Sequence, residues 1–240
     1  MTLFDNLLEN LAVYLDDARS RGSLRETGYN VYSAWPEKNS LVLQENTAVE
    51  LGSSNLSQFL IMWTNRRGVI KPNRISLVGF DLTEVETAAR IPFAQIVLVN
   101  GNFEDDYDTY RDLRDVVFDI KPEGVSIRIR PDQQKIWCRI SNDALEKGFS
   151  LVRYGSTLIK KLGHNKRIKG CEVIFITGST EELDRLSLIS NRVQDTVEAL
   201  VKMYEEMNFD CESCEYSDVC DEVAGLREIR DRLQKERSRK

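Results

Sequence analysis

Apolar residues recur at helical spacing from the start of the chain. Leu3, Leu7, Leu8, Leu11, Val13, Tyr14 and Leu15 place residues 1–20 on an amphipathic helix, which Arg21-Gly22-Ser23 ends. Residues 23–40 have no clear period, and Trp35-Pro36 marks a turn. Residues 42–51 read as a strand. Gly52-Ser53-Ser54-Asn55 then reads as a turn and cap for a helix over 56–63. Residues 75–80 alternate after a β-branched start, and 91–99 are continuously apolar, the pattern of strands in a buried sheet. An acidic helix spans 103–118, with Tyr107, Tyr110, Leu113 and Val117 on one face.

Residues 126–130 and 135–140 flank Pro131-Asp132-Gln133-Gln134 and predict a hairpin. Arg128, Arg130 and Arg139 alternate there with Ile127, Ile129 and Trp137, so a basic face opposite an apolar one is expected. Ser141-Asn142-Asp143 offers a helix cap, a further helix covers about 155–162, and 171–177 is a strongly apolar strand. A long helix follows from Gly178-Ser179-Thr180 to about residue 207. Strands alternating with helices predict an α/β fold, a mixed sheet flanked by helices, with a short C-terminal cysteine-containing helical module. The expected divisions are an N-terminal helix and linker (1–40), an α/β domain (41–208), and a cysteine motif with a C-terminal helix (209–240).

Composition narrows the function. The 240 residues carry a net charge of −6, which argues against a dedicated nucleic-acid binder. No run approaches eighteen apolar residues, and Asp5 and Glu9 already charge the first ten positions, so neither a membrane span nor a signal peptide is expected. A cytoplasmic, reducing setting follows, in which five cysteines serve as ligands or buried thiols rather than disulfides.

Three of those five cysteines form a C-x2-C-x5-C run, Cys211, Cys214 and Cys220. Two residues between thiols allow both to point at one centre, and soft thiolates select Zn²⁺ or an iron–sulfur cluster over hard cations. With His164 the only histidine, a mixed Cys/His zinc site has little to draw on, and short cysteine spacings of this kind favour a cluster. Zinc remains the alternative, and unligated thiols the plainest outcome. A fourth ligand could come from Cys171 or Cys138, although a buried small hydrophobe is the usual fate of a free cysteine. His164 lies in a polar loop and reads as a surface residue. The carboxylates Glu104, Asp105, Asp106 and Asp108 complement a helix dipole. The three arginines could meet an anionic partner or a cofactor phosphate. Gly-x-Gly-x-x-Gly, P-loop and Gly-x-Ser-x-Gly motifs are absent from the sequence.

Several stretches between residues 49 and 220 resemble, in the same order, the middle region of acetyl-CoA synthase, the β-type subunit of the CO dehydrogenase/acetyl-CoA synthase system. They include Val49-Glu50-Leu51-Gly52, Gly79-Phe80-Asp81-Leu82, Ile91-Pro92, and Ile136-Trp137-Cys138-Arg139-Ile140-Ser141-Asn142-Asp143-Ala144. Lys147-Gly148-Phe149 and Tyr154-Gly155 continue the series, and the cysteine run follows a long helix as in that family. The resemblance implies a [4Fe–4S] cluster, with Cys211, Cys214 and Cys220 matching three of the family's four thiolates. The family's fourth cysteine and its later nickel-holding Cys-Gly-Cys have no counterpart among these residues. The expectation is therefore an accessory protein acting in electron transfer or subunit interaction, with a protein partner in a CO dehydrogenase or corrinoid-type complex of anaerobic one-carbon metabolism. A structural zinc-bound interaction domain and a partial synthase completed by a partner chain are the alternatives.

Overall fold

Two mixed sheets meet at the centre of the computed structural model, which describes residues 3–84, 90–130, 133–205, 211 and 213–237. In chain order the elements are α1 (Asp5–Ser20), β1 (Leu24–Gly28), β2 (Thr47–Leu51), β3 (Ser57–Thr64), β4 (Arg74–Val78), β5 (Arg90–Ile91) and β6 (Phe93–Gly101). They continue with α2 (Asp106–Phe118), β7 (Val125–Arg130), β8 (Lys135–Ser141), α3 (Asn142–Glu146), α4 (Leu151–Leu162) and β9 (Ile168–Ile176). The long α5 (Thr180–Glu205), short α6 (Ser217–Glu222) and α7 (Ala224–Arg237) complete the chain.

The larger sheet has the order β1-β4-β9-β6-β3, with β4–β9 and β6–β3 parallel and the other two pairs antiparallel. Its three inner strands are nearly all apolar because helices and the second sheet cover both faces. The smaller sheet runs β5-β2-β8-β7, and β7 is an outer strand. The sheets join where Ile136 N–H donates to Ser57 Oγ (3.3 Å) and Phe59 N–H to the Gln134 carbonyl (2.8 Å).

Residues 56–63, expected as a helix, form strand β3 instead, in parallel register with β6 from Ser57↔Phe93 to Thr64↔Asn100. Its eight residues are all buried. A continuous apolar run of this length has no period to distinguish a doubly covered strand from a buried helix, and pairing decided it. The Ser53 hydroxyl, read as a helix cap, instead holds a turn by accepting from Leu56 N–H (3.2 Å). Strand β1 lies where no pattern was found, since it is a polar outer strand fixed by pairing with β4. On α1, Val13 faces solvent rather than the apolar stripe. Helix α1 packs along α5 through the buried Tyr14, whose hydroxyl donates to Glu182 Oε2 (3.0 Å).

Helix α4 crosses β4 and β9 closely at Gly155, where an added Cβ would lie 3.1 Å from both Ile75 and Phe175. Helix α5 rests on β3 and carries α6 and α7 at its C-terminal end, which sets the position of the cysteines.

Candidate functional site

The cysteine run is folded back onto α5 by its own polar neighbours. Tyr216 donates its hydroxyl to Glu198 Oε2 (2.7 Å), and Lys202 Nζ reaches Glu215 Oε1 (3.2 Å), so two turns of α5 anchor the loop. Ser217 N–H donates to the Cys214 carbonyl (3.2 Å) and Cys220 N–H to the Tyr216 carbonyl (3.0 Å). These bonds turn the chain into α6, which holds Cys220 on its buried side. Helix α7 then returns past the loop. Gln234 Nε2 lies 3.0 Å from Cys211 Sγ, and Arg230 pairs with Asp221 (2.8 Å).

Cys214 and Cys220 are buried and Cys211 is half-buried. Burial pushes the Cys220 thiol up to about 11, Arg230 opposes that rise, and Cys214, Cys211 and Asp221 add to it. Among the described residues, no group of three or more His, Cys, Asp or Glu side chains is assembled as a metal cage. The donor set, three thiols with a guanidinium nearby to offset thiolate charge, suits a soft metal in type.

The two remaining cysteines lie elsewhere. Cys138 is on β8, with its thiol pushed well up by burial, beside the buried Tyr154 of α4. Cys171 is on β9 and donates weakly to the Ile159 carbonyl (3.9 Å), its thiol pushed up to about 12 by burial. Neither is among the groups that act on Cys220. All five cysteines are free of disulfides.

The hairpin departs from its expected division into faces. Register places Arg128 opposite Trp137, so the tryptophan belongs to the arginine face, while Ile136, Cys138 and Ile140 fill the buried one. The Trp137 ring lies under Arg139 (4.5 Å) and Arg128 (5.2 Å). Arg139 also binds Glu50 (2.9 Å), which takes Arg90 as well (2.9 Å). The acidic start of α2 is structural: Asp105 caps the helix by accepting from Tyr107 and Asp108 N–H (2.9 and 3.0 Å). His164 is exposed. Sequence spacing singled out the three cysteines as candidates and gave no place to Gln234 or Arg230, which lie beside them. Their i,i+4 placement on one face of α7 was the available signal.

The family model described as "CO dehydrogenase/acetyl-CoA synthase complex beta subunit" matches residues 37–182, a stretch that ends ahead of the cysteine run. "Acetyl-CoA decarbonylase/synthase complex subunit beta 2" of Methanocaldococcus jannaschii is 30% identical over 148 residues, 60% of this chain and 31% of the relative. "Acetyl-CoA decarbonylase/synthase complex subunit beta" of Methanopyrus kandleri is 36% identical over 90 residues, 37% of this chain and 19% of the relative. "Carbon monoxide dehydrogenase/acetyl-CoA synthase subunit alpha" of Moorella thermoacetica is 24% identical over 115 residues, 48% of this chain and 16% of the relative. The chain spans less than a third of the length of these relatives.

Proposed function

The chain belongs to the family of CO dehydrogenase/acetyl-CoA synthase complex beta subunits, and on that premise we propose that it is an accessory member binding one iron–sulfur cluster through Cys211, Cys214 and Cys220. What supports this reading is the C-x2-C-x5-C spacing of Cys211, Cys214 and Cys220 on a segment that Tyr216 anchors to Glu198 of α5. A cluster, when bound, supplies one-electron transfer. The protein's own part is to bind and tune. Gln234 offers an N–H to the first thiol, Arg230 places positive charge near the third, and Tyr216 and Lys202 hold the loop down. The nearby Glu215, Asp218, Asp221 and Glu222 add negative charge, which disfavours gain of an electron. The fourth ligand is assigned to a partner protein or an exogenous group, since Cys138 and Cys171 sit in the sheets.

In this reading the protein works inside a CO dehydrogenase-type complex, in electron transfer or in holding subunits together. No helix among the described residues is long and apolar enough to cross a membrane. The test is purification without oxygen, followed by iron, zinc, nickel and acid-labile sulfide analysis with a visible spectrum. About four iron and four sulfide per chain, with a broad absorption that bleaches on reduction, would support the cluster. Stoichiometric zinc without sulfide would replace it with a structural module that ties α5 to α7. Empty thiols would leave only the inherited fold.

A further inference from the structure

We infer that the outer strand β7 is a docking edge for an extended protein segment in which acidic and apolar side chains alternate. Ser141 N–H donates to the Gly124 carbonyl (3.0 Å), so Gly124 and Ser141 are a hydrogen-bonded pair of the antiparallel ladder. Alternation makes Ser126↔Arg139 and Arg128↔Trp137 bonded pairs, and Ile127↔Cys138 and Ile129↔Ile136 non-bonded ones. Ile136 N–H indeed points away from β7, to Ser57 Oγ. The N–H and C=O groups of Ile127 and Ile129 therefore project outward from the sheet. Among the described residues no hydrogen bond takes them. Only the start of the strand is covered, where the Ser126 hydroxyl accepts from Val42 N–H (2.7 Å) and donates to the Ser40 carbonyl (3.2 Å). Two residues, Ile127 and Ile129, thus leave their backbone groups open along the edge.

The two faces beside that edge differ in chemistry. On one, the exposed Arg128 and Arg130 form no ion pair with any described carboxylate. Arg128 lies over Trp137, and Arg130 reaches only Gln133 (3.3 Å). On the other, half-buried Ile127 and Ile129 line a groove of about 550 Å³ with Val117, Phe118, Ile120 and Leu41, the last 80% exposed, and Arg128 and Arg130 border the same groove. A strand laid along β7 places alternate side chains on these two faces, so acidic residues meet the arginines and apolar ones fill the groove. In a chain of net charge −6 this cationic edge is a local reversal, and it selects an acidic partner. A second copy of this chain is a poor occupant, because antiparallel pairing of two β7 edges would set arginine near arginine.

The probe is a labelled hexapeptide alternating glutamate and valine, with a lysine–valine hexapeptide as control, titrated into the full chain. Binding of the glutamate peptide is expected, with slowed amide exchange at Ile127 and Ile129 and none at Arg128, whose N–H is already in the ladder. The doubly exchanged variant R128E/R130E should weaken it by about tenfold or more and favour the lysine peptide. Ile129→Pro should also weaken it, removing an outward N–H while leaving the ladder intact. Equal affinity for both peptides, or protection mapped away from β7, would overturn the proposal. So would inorganic phosphate displacing the peptide without any protection of the edge amides, which would mark a small-anion site. Self-association abolished by Ile129→Pro would assign the edge to a second copy instead.

Discussion

Gln234 on the last helix and Cys211 at the head of the cysteine run are in hydrogen-bond contact, Nε2 to Sγ at 3.0 Å. An amide N–H aimed at sulfur stabilises a thiolate more than a thiol, so under the proposed cluster reading the contact would gain strength when ligation deprotonates Cys211. Gln234→Ala should therefore weaken metal retention by roughly ten- to a hundredfold, the range typical of outer-shell partners. Competition of the loaded protein against a graded series of chelators checks this. Unchanged retention would reduce the contact to a surface bond.

Thiol reactivity should follow place in the fold. Thiolate is the reactive form, and burial holds Cys171 up near 12 and Cys138 well above its ordinary range. Cys211 is the most accessible of the five. Native metal-free protein treated with an aromatic disulfide at pH 8 should label Cys211 first and leave Cys138 and Cys171 silent until denaturant is added. Peptide mapping after timed quenching reads the order. If the proposed cluster is held by Cys211, Cys214 and Cys220, Cys138→Ala and Cys171→Ala should retain it and Cys214→Ala should lose it. Loss of metal in Cys171→Ala without loss of fold would put that residue back among the ligands.

The sequence pattern shows an element where burial is one-sided or complete, and hides it where pairing alone decides. The periodic helices and the apolar strands β6 and β9 were plain because burial on one or both sides writes itself into the pattern. Strand β3 was misread since Phe59 to Trp63 is apolar at every position, and only its partner β6 distinguishes strand from helix. Strand β1 was invisible because Arg25 and Glu26 lie on a polar outer strand, tied to Glu84 and Arg74 rather than to a core. Trp137 was put on the apolar face on hydrophobicity alone, while hairpin register places it with the arginines. Spacing marks the three cysteines as candidates and nothing more. What surrounds them was not legible, because Gln234 and Arg230 arrive by tertiary return of α7.

The crossing of α4 over the larger sheet depends on Gly155. An added Cβ is 3.1 Å from Ile75 Cγ2 and from Phe175 Cε2, both fully buried and fixed by the sheet. Gly155→Val puts three carbons into that gap, so helix and sheet must separate. A loss of about 1–3 kcal/mol is expected, the usual cost of overpacking. At about 2–4 °C per kcal/mol for a chain of this size, a thermal melt should show it. Gly155→Ala is the milder control, since better helix propensity offsets part of the crowding. A Val variant as stable as the parent would mean that α4 can shift freely on the sheet.

Glu182, at the start of α5, sets an acid limit on how α1 is held. The Arg21 guanidinium bonded to it, with the Tyr14 hydroxyl, keeps its carboxyl below the ordinary glutamate range despite burial. A depressed carboxylate binds fewer protons folded than unfolded, so its contribution is complete above the ordinary range, around pH 4–5. It is then lost as pH falls through the lower folded value. The α1–α5 junction should loosen in that acid window, and Glu182→Gln should flatten the pH dependence there while lowering stability at pH 7. Denaturant midpoints of both proteins from pH 7 down to pH 3 check this. Parallel curves would show that acid acts elsewhere, with Glu50, depressed by Arg139 and Arg90, the next carboxylate to replace.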